Sequence, residues 1–262
     1  MTDKVLDLQK RGGHRINRGR GHSYTLDGQP VMGVTTILKK GLPMPGLTGW
    51  AARQCAQFVA ARRDILTQLN DRELVDLVQG APNRNRDEAA VRGTELHALA
   101  EQLAHGEEVE VPEALAGHVD HYLAFLEAFR PASAIVERPV FNRAHRYGGT
   151  LDMLAETHEF GRTLFDFKSS GSGVYGEVAL QLAAYAHAEF YVDARHHEIP
   201  MLEVDNYVVV WLRADGYDVY PVDVTDSEWE TFQHIARVAW WIENRQKQVV
   251  GEAIWARQEV RA

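Results

Sequence analysis

The sequence predicts an α/β fold: a central mixed β-sheet flanked by helices, with an N-terminal helical annex. Three observations predict it. Helical patterns dominate to about residue 129. Over 133–167 the texture changes to short β-rich runs separated by glycine-containing turns. A helical pattern, two more strand-like runs and a closing helix complete the chain. Helices, then a three-strand meander, then a helix, then two strands is the order of a mixed sheet covered by helices. The 262 residues, 45% hydrophobic, suffice for an annex over 1–85 and a core over 86–262, joined in one compact unit.

Each element has its own signal. Residues 10–22, KRGGHRINRGRGH, carry Lys10, Arg11, Arg15, Arg18 and Arg20 without an acid. This segment reads either as a flexible basic tail or as an arm that contacts phosphates. SYTLDGQPVMGV places two strand-like runs around Asp27-Gly28, a hairpin turn signal. Thr48 is a candidate cap for a helix to about Arg63, and a short helix fits 71–79. A long helix is predicted over 86–105, ending near Gly106, and another over 112–129, stopped by Pro131. Strands are expected at 133–141, 147–156 and 162–167, then a helix over 174–191. Strands at 204–213 and 217–223 flank the turn at Asp215-Gly216, and a final helix covers 226–249.

Composition narrows the chemistry. The net charge of −9 argues against coating DNA by bulk electrostatics, so any backbone-binding surface must be local. No apolar run is long enough to span a bilayer, and the N-terminus lacks an apolar signal region, so a cytoplasmic setting is expected. Cys55 is the only cysteine, which rules out an internal disulfide, a four-cysteine zinc site and a protein-ligated iron–sulfur cluster.

The strongest chemical signal lies in 147–168. Asp152 belongs to one strand, YGGTLDMLAE, and Asp166 and Lys168 end the next, LFDFKSS. A hairpin around Gly161 brings the acids of the two strands face to face. Residues i and i+2 share a strand face, so Asp166 and Lys168 point one way and Phe167 the other, into packing. Carboxylates on apolar strands need partners, metals or solvent. Paired carboxylates are a typical protein contribution to Mg²⁺ or Mn²⁺ sites that hydrolyse phosphodiesters. A lysine beside them orients the attacking water or stabilises developing charge, and nearby cations with partial burial are expected to lower its pKa.

Further features join this pair. His97, in GTELH on the long helix, is either an imidazole ligand or a satisfied helix histidine. Gly148-Gly149-Thr150 precedes Asp152 as a turn or as a place of close approach. Gln181 and Tyr185, spaced i, i+4, share a helix face and read as a phosphate or base contact or as an amphipathic rim. Glu137, in the first meander strand, is a further ligand or a surface residue.

Taken together and in order, GTELH, GGTLD, DFK and QLAAY resemble the PD-(D/E)XK nuclease superfamily, in its RecB-like and phage-type exonuclease branch. The motifs span about 90–190, and the lead-in SYTLDGQPVMGVTTIL with LTGWAARQ is more loosely similar to phage-type members. The resemblance implies a restriction-endonuclease-like core and a DNA nuclease using one or two Mg²⁺ or Mn²⁺ ions. Asp152, Asp166 and Lys168 would be catalytic. His97, Asp152, Asp166 and the Phe167 carbonyl would hold metal, and Gln181 and Tyr185 would position the lysine or the DNA. Arg11, Arg15, Arg18 and Arg20 are candidate DNA contacts. Glu137 has no counterpart among these motifs. The resemblance implies an exonuclease acting on DNA ends in recombination, repair or phage DNA processing. A recombination partner protein and oligomerisation fit that setting. Several members of the branch carry a four-cysteine iron–sulfur cluster that this chain has no ligands for.

Three rival readings remain. Gly171-Ser172-Gly173-Val174-Tyr175-Gly176 matches the dinucleotide-binding turn of an oxidoreductase, or is a flexible loop over the active site. A nuclease fold without catalysis is a DNA-binding module. Trp240 and Trp241 are either base-stacking residues or core. A zinc hydrolase lacks its H-E-x-x-H.

Overall fold

The computed structural model describes residues 11–18, 21–104, 106–171 and 173–255; for 18, 85 and 88–90 only the backbone is described. The chain opens with strands β1 (Gly13–Arg18), β2 (Gly21–Leu26) and β3 (Gln29–Gly33). Helices α1 (Val34–Gly41), α2 (Pro45–Ala61), α3 (Arg63–Leu66), α4 (Asp71–Gln79) and α5 (Ala81–Ala104) follow. A 3₁₀ turn (Glu113–Leu115) leads into α6 (Ala116–Phe129). The meander is β4 (Ala132–Asn142), β5 (Tyr147–Thr157) and β6 (Gly161–Lys168). Then come α7 (Glu177–Ala186), β7 (Phe190–Val192), β8 (Glu198–Pro200), β9 (Asn206–Arg213), β10 (Gly216–Pro221) and α8 (Asp226–Asn244).

The sheet is mixed, as expected, and has ten strands among the described residues. β5 lies at its centre and runs antiparallel to β4 and β6; β6 runs parallel to β9, and β9 antiparallel to β10. β5 has divided company on one edge. Its start pairs with β3 at Tyr147 and Gly148, and its end pairs with β6 from Met153 onward. Between these the two neighbours diverge, leaving a fork at 149–152. Asp152 sits in that fork.

Each face of the sheet carries its own core. Leu154, Leu164 and Val209 pack beneath α1, α7 and α8 through Val34, Leu182 and Phe232. Met153, Phe165, Phe167 and Val210 pack on the other face beneath α5 and α6 through Leu96, Tyr122 and Phe125. The alternation Leu164, Phe165, Asp166, Phe167 therefore sends apolar residues to both layers and leaves Asp166 on the α7 side. α6 approaches the β9–β10 turn closely. A Cβ on Gly117 meets the Ala214 carbonyl oxygen at 2.3 Å, and a backbone atom there cannot step aside. Gly117→Ala is expected to lower stability by ~1–3 kcal/mol despite alanine's better helix propensity, read as a shifted urea midpoint.

Several expectations are corrected. The stretch 10–22 is no tail where it is described: β1 pairs with β2 from Gly13↔Leu26 to Arg18↔Gly21. Arg20 and the side chain of Arg18 lie outside the described residues. α1 was not foreseen, because the β-branched Val34-Thr35-Thr36-Ile37 has poor helix propensity; burial of Val34, Ile37 and Leu38 overrides it. α2 starts earlier than the Thr48 cap, with Met44 as cap and proline in its first turn. α5 also starts earlier than expected, at Ala81, with Pro82 tolerated in its first turn. The helix expected over 174–191 is only α7, and its last residues form β7, which pairs with β4. Three-residue strands such as β7 and β8 carry no periodic signal. α8 stops at Asn244, short of 249. Its buried face is Phe232, Ile235 and Ala239, so Trp240 and Trp241 turn outward, 55% and 45% exposed, and are not core.

Candidate metal centre in the sheet fork

The fork, the β1–β2 ribbon, the start of α1 and the middle of α5 enclose a cleft of about 780 Å³. His97 from α5, Glu137 from β4 and Asp152 from β5 converge at its base, each offering one ligand atom, all within 4.8 Å of one another. His97 Nδ1 lies 2.7 Å from Glu137 Oε1 and 3.6 Å from Asp152 Oδ1. One Asp152 oxygen is already committed, since Oδ2 accepts the Phe167 amide N–H at 2.8 Å. That bond fixes the carboxylate at the point where β5 and β6 part.

Glu137 is the residue whose role the sequence left open. It stands opposite Asp152, between the pairs Val136↔Met153 and Arg138↔Leu151. Its φ is +50°, the left-handed region that a glutamate in a strand rarely adopts. Such a backbone costs ~1–3 kcal/mol and persists where the surroundings over-determine it. Here it accompanies a carboxylate that meets His97 on one oxygen and Arg15 Nη1, at 3.9 Å, on the other. A positive φ has no signature in a single sequence, which is why the motifs passed Glu137 by.

Asp166 and Lys168 lie beside this cluster and belong to a second, tighter knot. Asp166 is 1% exposed. Lys168 Nζ donates to its Oδ1 at 3.0 Å and sits 2.8 Å from Oδ2. Gln181 Nε2 donates to Asp166 Oδ1 at 2.6 Å, and Lys168 Nζ donates to Gln181 Oε1 at 3.4 Å. Asp166 Oδ2 is buried and accepts no well-directed hydrogen bond. The expected ligand set of His97, Asp152 and Asp166 is thus altered. Glu137 joins the cluster, while Asp166 stands next to it, engaged by lysine and glutamine, with Oδ2 held by the lysine ion pair alone. Gln181 is a positioning residue for Asp166 and Lys168. It is not a rim residue, since α7 is buried on nearly every side. Tyr185 is buried against the backbone of β5, where Gly148-Gly149 is strand and not turn: a Cβ on Gly149 meets its ring at 2.4 Å. Phe167 packs edge-on to Tyr122 and Phe125, as its strand parity requires.

The electrostatics of this base favour positive charge. The neighbouring Asp152 carboxylate, against the cost of burial and with help from Glu137, raises the His97 imidazole to about 9. Burial pushes the Asp166 carboxyl up to about 6, with Lys168 opposing and Asp152 assisting. Burial also raises Asp152, opposed by His97. The Lys168 amine is pulled down by burial but lifted further by Asp166 and Asp152, so it ends above its ordinary value. That reverses the lowered lysine expected from the sequence, because the charges facing it are anionic. A metal ion needs a neutral imidazole, and below pH 9 His97 must surrender a proton to bind one. Affinity for Mn²⁺ is therefore expected to rise with pH, by ~10-fold per unit for each proton displaced, between pH 6 and 8. Calorimetric titrations in buffers of different ionisation enthalpy check both the slope and the proton release.

Arg15 lies in the cleft and donates to Thr150 Oγ1 at 3.4 Å, whereas Arg11 lines a separate recess with Asp27, Arg143 and Glu198. The glycines of 171–176 sit beside α7, but a Cβ on Gly171, Gly173 or Gly176 meets nothing within 4 Å. The close helix–strand packing that a dinucleotide-binding turn requires of its third glycine is missing here.

No protein-family model and no curated protein matches the chain. Among solved structures, the chain is similar to one described as "Crystal structure of SSO0001", at 17% identity over 62% of this chain and 72% of that one, with a TM-score of 0.31. A likeness that faint carries no argument about chemistry.

Proposed function

We propose that the protein is a metal-dependent deoxyribonuclease with a restriction-endonuclease-like core, acting at DNA ends. The observation that carries the reading is the convergence of His97, Glu137 and Asp152 from three elements within 4.8 Å, with Asp166 and Lys168 at their side. Imidazole with carboxylates suits Mn²⁺ and related ions, and the buried Asp166 Oδ2, held only by its ion pair with Lys168, is a further oxygen donor beside them. His97, Glu137 and Asp152 would hold the cation, with Asp166 as an additional ligand. A divalent cation there supplies charge relief to a phosphodiester and lowers the pKa of water.

The chain's own residues do the rest. Phe167 fixes Asp152 through its amide, and Gln181 holds Asp166 and Lys168 in register. Lys168 keeps its proton at neutral pH, because Asp166 and Asp152 lift it, so it acts as a cation toward phosphoryl or water oxygen and not as a base. Arg15, on the ribbon above, is placed to meet a phosphate.

The reading is tested by Mn²⁺ titration and by digestion of end-labelled linear DNA against closed circles. Wild type is expected to bind Mn²⁺ and to degrade linear DNA while circles stay intact. Asp152→Asn and Glu137→Gln are each expected to weaken Mn²⁺ binding by ~10-fold or more. Mn²⁺ binding unchanged in both variants would sink the assigned centre.

A further inference from the structure

We infer that Arg143, in the turn between β4 and β5, is a positioning residue: it holds the start of β1 and so sets Arg15 over the carboxylate cluster. What Arg15 then does to a cation or a phosphate rests on the metal-dependent reading above; the hold itself does not. Arg15 does not place itself. Its two contacts at the fork are long, 3.4 Å to Thr150 Oγ1 and 3.9 Å to Glu137 Oε2. Its place is set by its backbone. β1 pairs with β2 and stands last in the strand order on that side of the sheet. The ribbon joins the main sheet through β3 at two positions, Met32↔Tyr147 and Gly33↔Gly148. Tyr24 fastens the β2 side, its hydroxyl 2.9 Å from Thr150 Oγ1. The β1 side is fastened at its first residues, and Arg143 is at the centre of that fastening.

One guanidinium brings four segments together. Arg143 Nε donates to Asp27 Oδ2, in the β2–β3 turn, at 3.0 Å. Its Nη2 donates to Glu198 Oε1 and Oε2, on β8, at 2.7 and 2.9 Å. These carboxylates in turn accept consecutive amides at the start of β1. Gly12 N–H donates to Asp27 Oδ1 at 3.0 Å, and Gly13 N–H to Glu198 Oε1 at 3.3 Å. The guanidinium also lies 4.4 Å over the Phe190 ring, and Phe190 stacks on Phe141. Gly13 is pressed against that second ring: a Cβ there would meet it at 2.3 Å. A single exposed ion pair holds little, but a planar fork shared by two carboxylates fixes both in place. Arg143, helped by the Gly12 amide, holds the Asp27 carboxyl below its ordinary value. Without Arg143, two carboxylates face one another with no guanidinium between them. They turn toward water, and Gly12 and Gly13 lose their acceptors. From Gly13 to Arg15 is two residues, ~7 Å of strand, so slack at the one is felt at the other.

The test compares wild type, Arg143→Ala, Arg15→Ala and the double variant, as full chains, by amide hydrogen exchange, Mn²⁺ titration and digestion of linear DNA. Exchange over 13–18 is expected to quicken ~10-fold or more in Arg143→Ala, with 206–213 in β9 as the unchanged reference. Arg15 repels a cation beside Glu137, so Arg15→Ala is expected to tighten Mn²⁺ binding by ~3–10-fold. It is also expected to raise KM for linear DNA several-fold with kcat little changed. Arg143→Ala is expected to move both quantities in the same directions, and the double variant to differ little from Arg15→Ala alone. General loosening of the fold would weaken Mn²⁺ binding, so the sign separates positioning from damage. Arg143→Lys, with the charge but not the fork, is expected to recover part of each change. If Arg143→Ala does not fold, Glu198→Gln takes its place: it keeps an acceptor for Gly13 and should quicken exchange over 13–18 by a smaller factor. Unchanged exchange over 13–18, weakened Mn²⁺ binding in Arg143→Ala, or effects of Arg143→Ala and Arg15→Ala that add in full would each overturn the inference. Quickened exchange over 13–18, in a protein whose wild type neither binds Mn²⁺ nor cuts DNA, would uphold the hold on β1 and remove the nuclease reading alone.

Discussion

Lys168→Ala is expected to slow the digestion of end-labelled linear DNA by ~10²–10³-fold in Mn²⁺ while leaving the fold intact. Lys168 is a protonated amine, 2.8 Å from Asp166 Oδ2 and held by Gln181. Its removal takes away the preorganised amine that faces Asp166 and Asp152 beside the cluster. The proposed metal ligands stay, so Mn²⁺ binding is expected to persist and even to tighten as Asp166 is freed from its ion pair. The loss then falls on kcat with KM little changed, which separates a role in the reaction from a role in binding. Lys168→Arg is the finer probe. It restores charge but not the compact point of it, and a guanidinium cannot fit the knot with Asp166 and Gln181 unchanged. Wild-type rates in Lys168→Ala would reject the assigned centre outright.

Phe125→Ala is expected to cost ~3–5 kcal/mol, the largest stability effect of any single side chain discussed. Phe125 is fully buried at the crossing of α6 with the sheet. Its ring meets Phe129, Phe165, Phe167 and Tyr217 at centroid distances between 5.0 and 6.3 Å, mostly edge-on. Truncation leaves a cavity bounded by rigid strands that cannot collapse. The thermal midpoint is expected to fall by roughly 10 °C. The damage should also reach the proposed metal centre, because Phe167 packs on Phe125 and its amide N–H holds Asp152. Mn²⁺ affinity measured well below the new midpoint is therefore expected to weaken, and Phe125→Leu should recover most of both losses. A midpoint unmoved by Phe125→Ala would mean that the α6 layer does not pack as described.

The two effects arise on opposite faces of one strand. β6 alternates Phe165, Asp166, Phe167 and Lys168, so apolar rings grip α6 while the charged pair faces α7. That alternation is written in the chain, and the parity of a strand makes it readable without a structure. The same holds for Asp27-Gly28, whose glycine at φ +75° turns β2 into β3. Local signals of this kind fixed the meander, the D-x-K pair and the place of His97 on a long helix.

Long-range register decided the remainder. Glu137 and Asp152 are fifteen residues apart, and only the β4–β5 pairing makes them neighbours, with a left-handed φ that no local pattern announces. The β1 segment reads in sequence as a basic tail or a phosphate-contacting arm. It is a strand because it pairs with β2, and β3 joins that ribbon to β5, bringing Arg15 over the fork. Which carboxylate meets His97, and whether Lys168 faces anions or cations, follow from the same pairings. The sequence by itself determined the chemical types available and the faces they occupy. The tertiary structure alone decided which of them converge, because convergence depends on strand register and helix packing across distant segments, and these are settled by burial summed over the whole core.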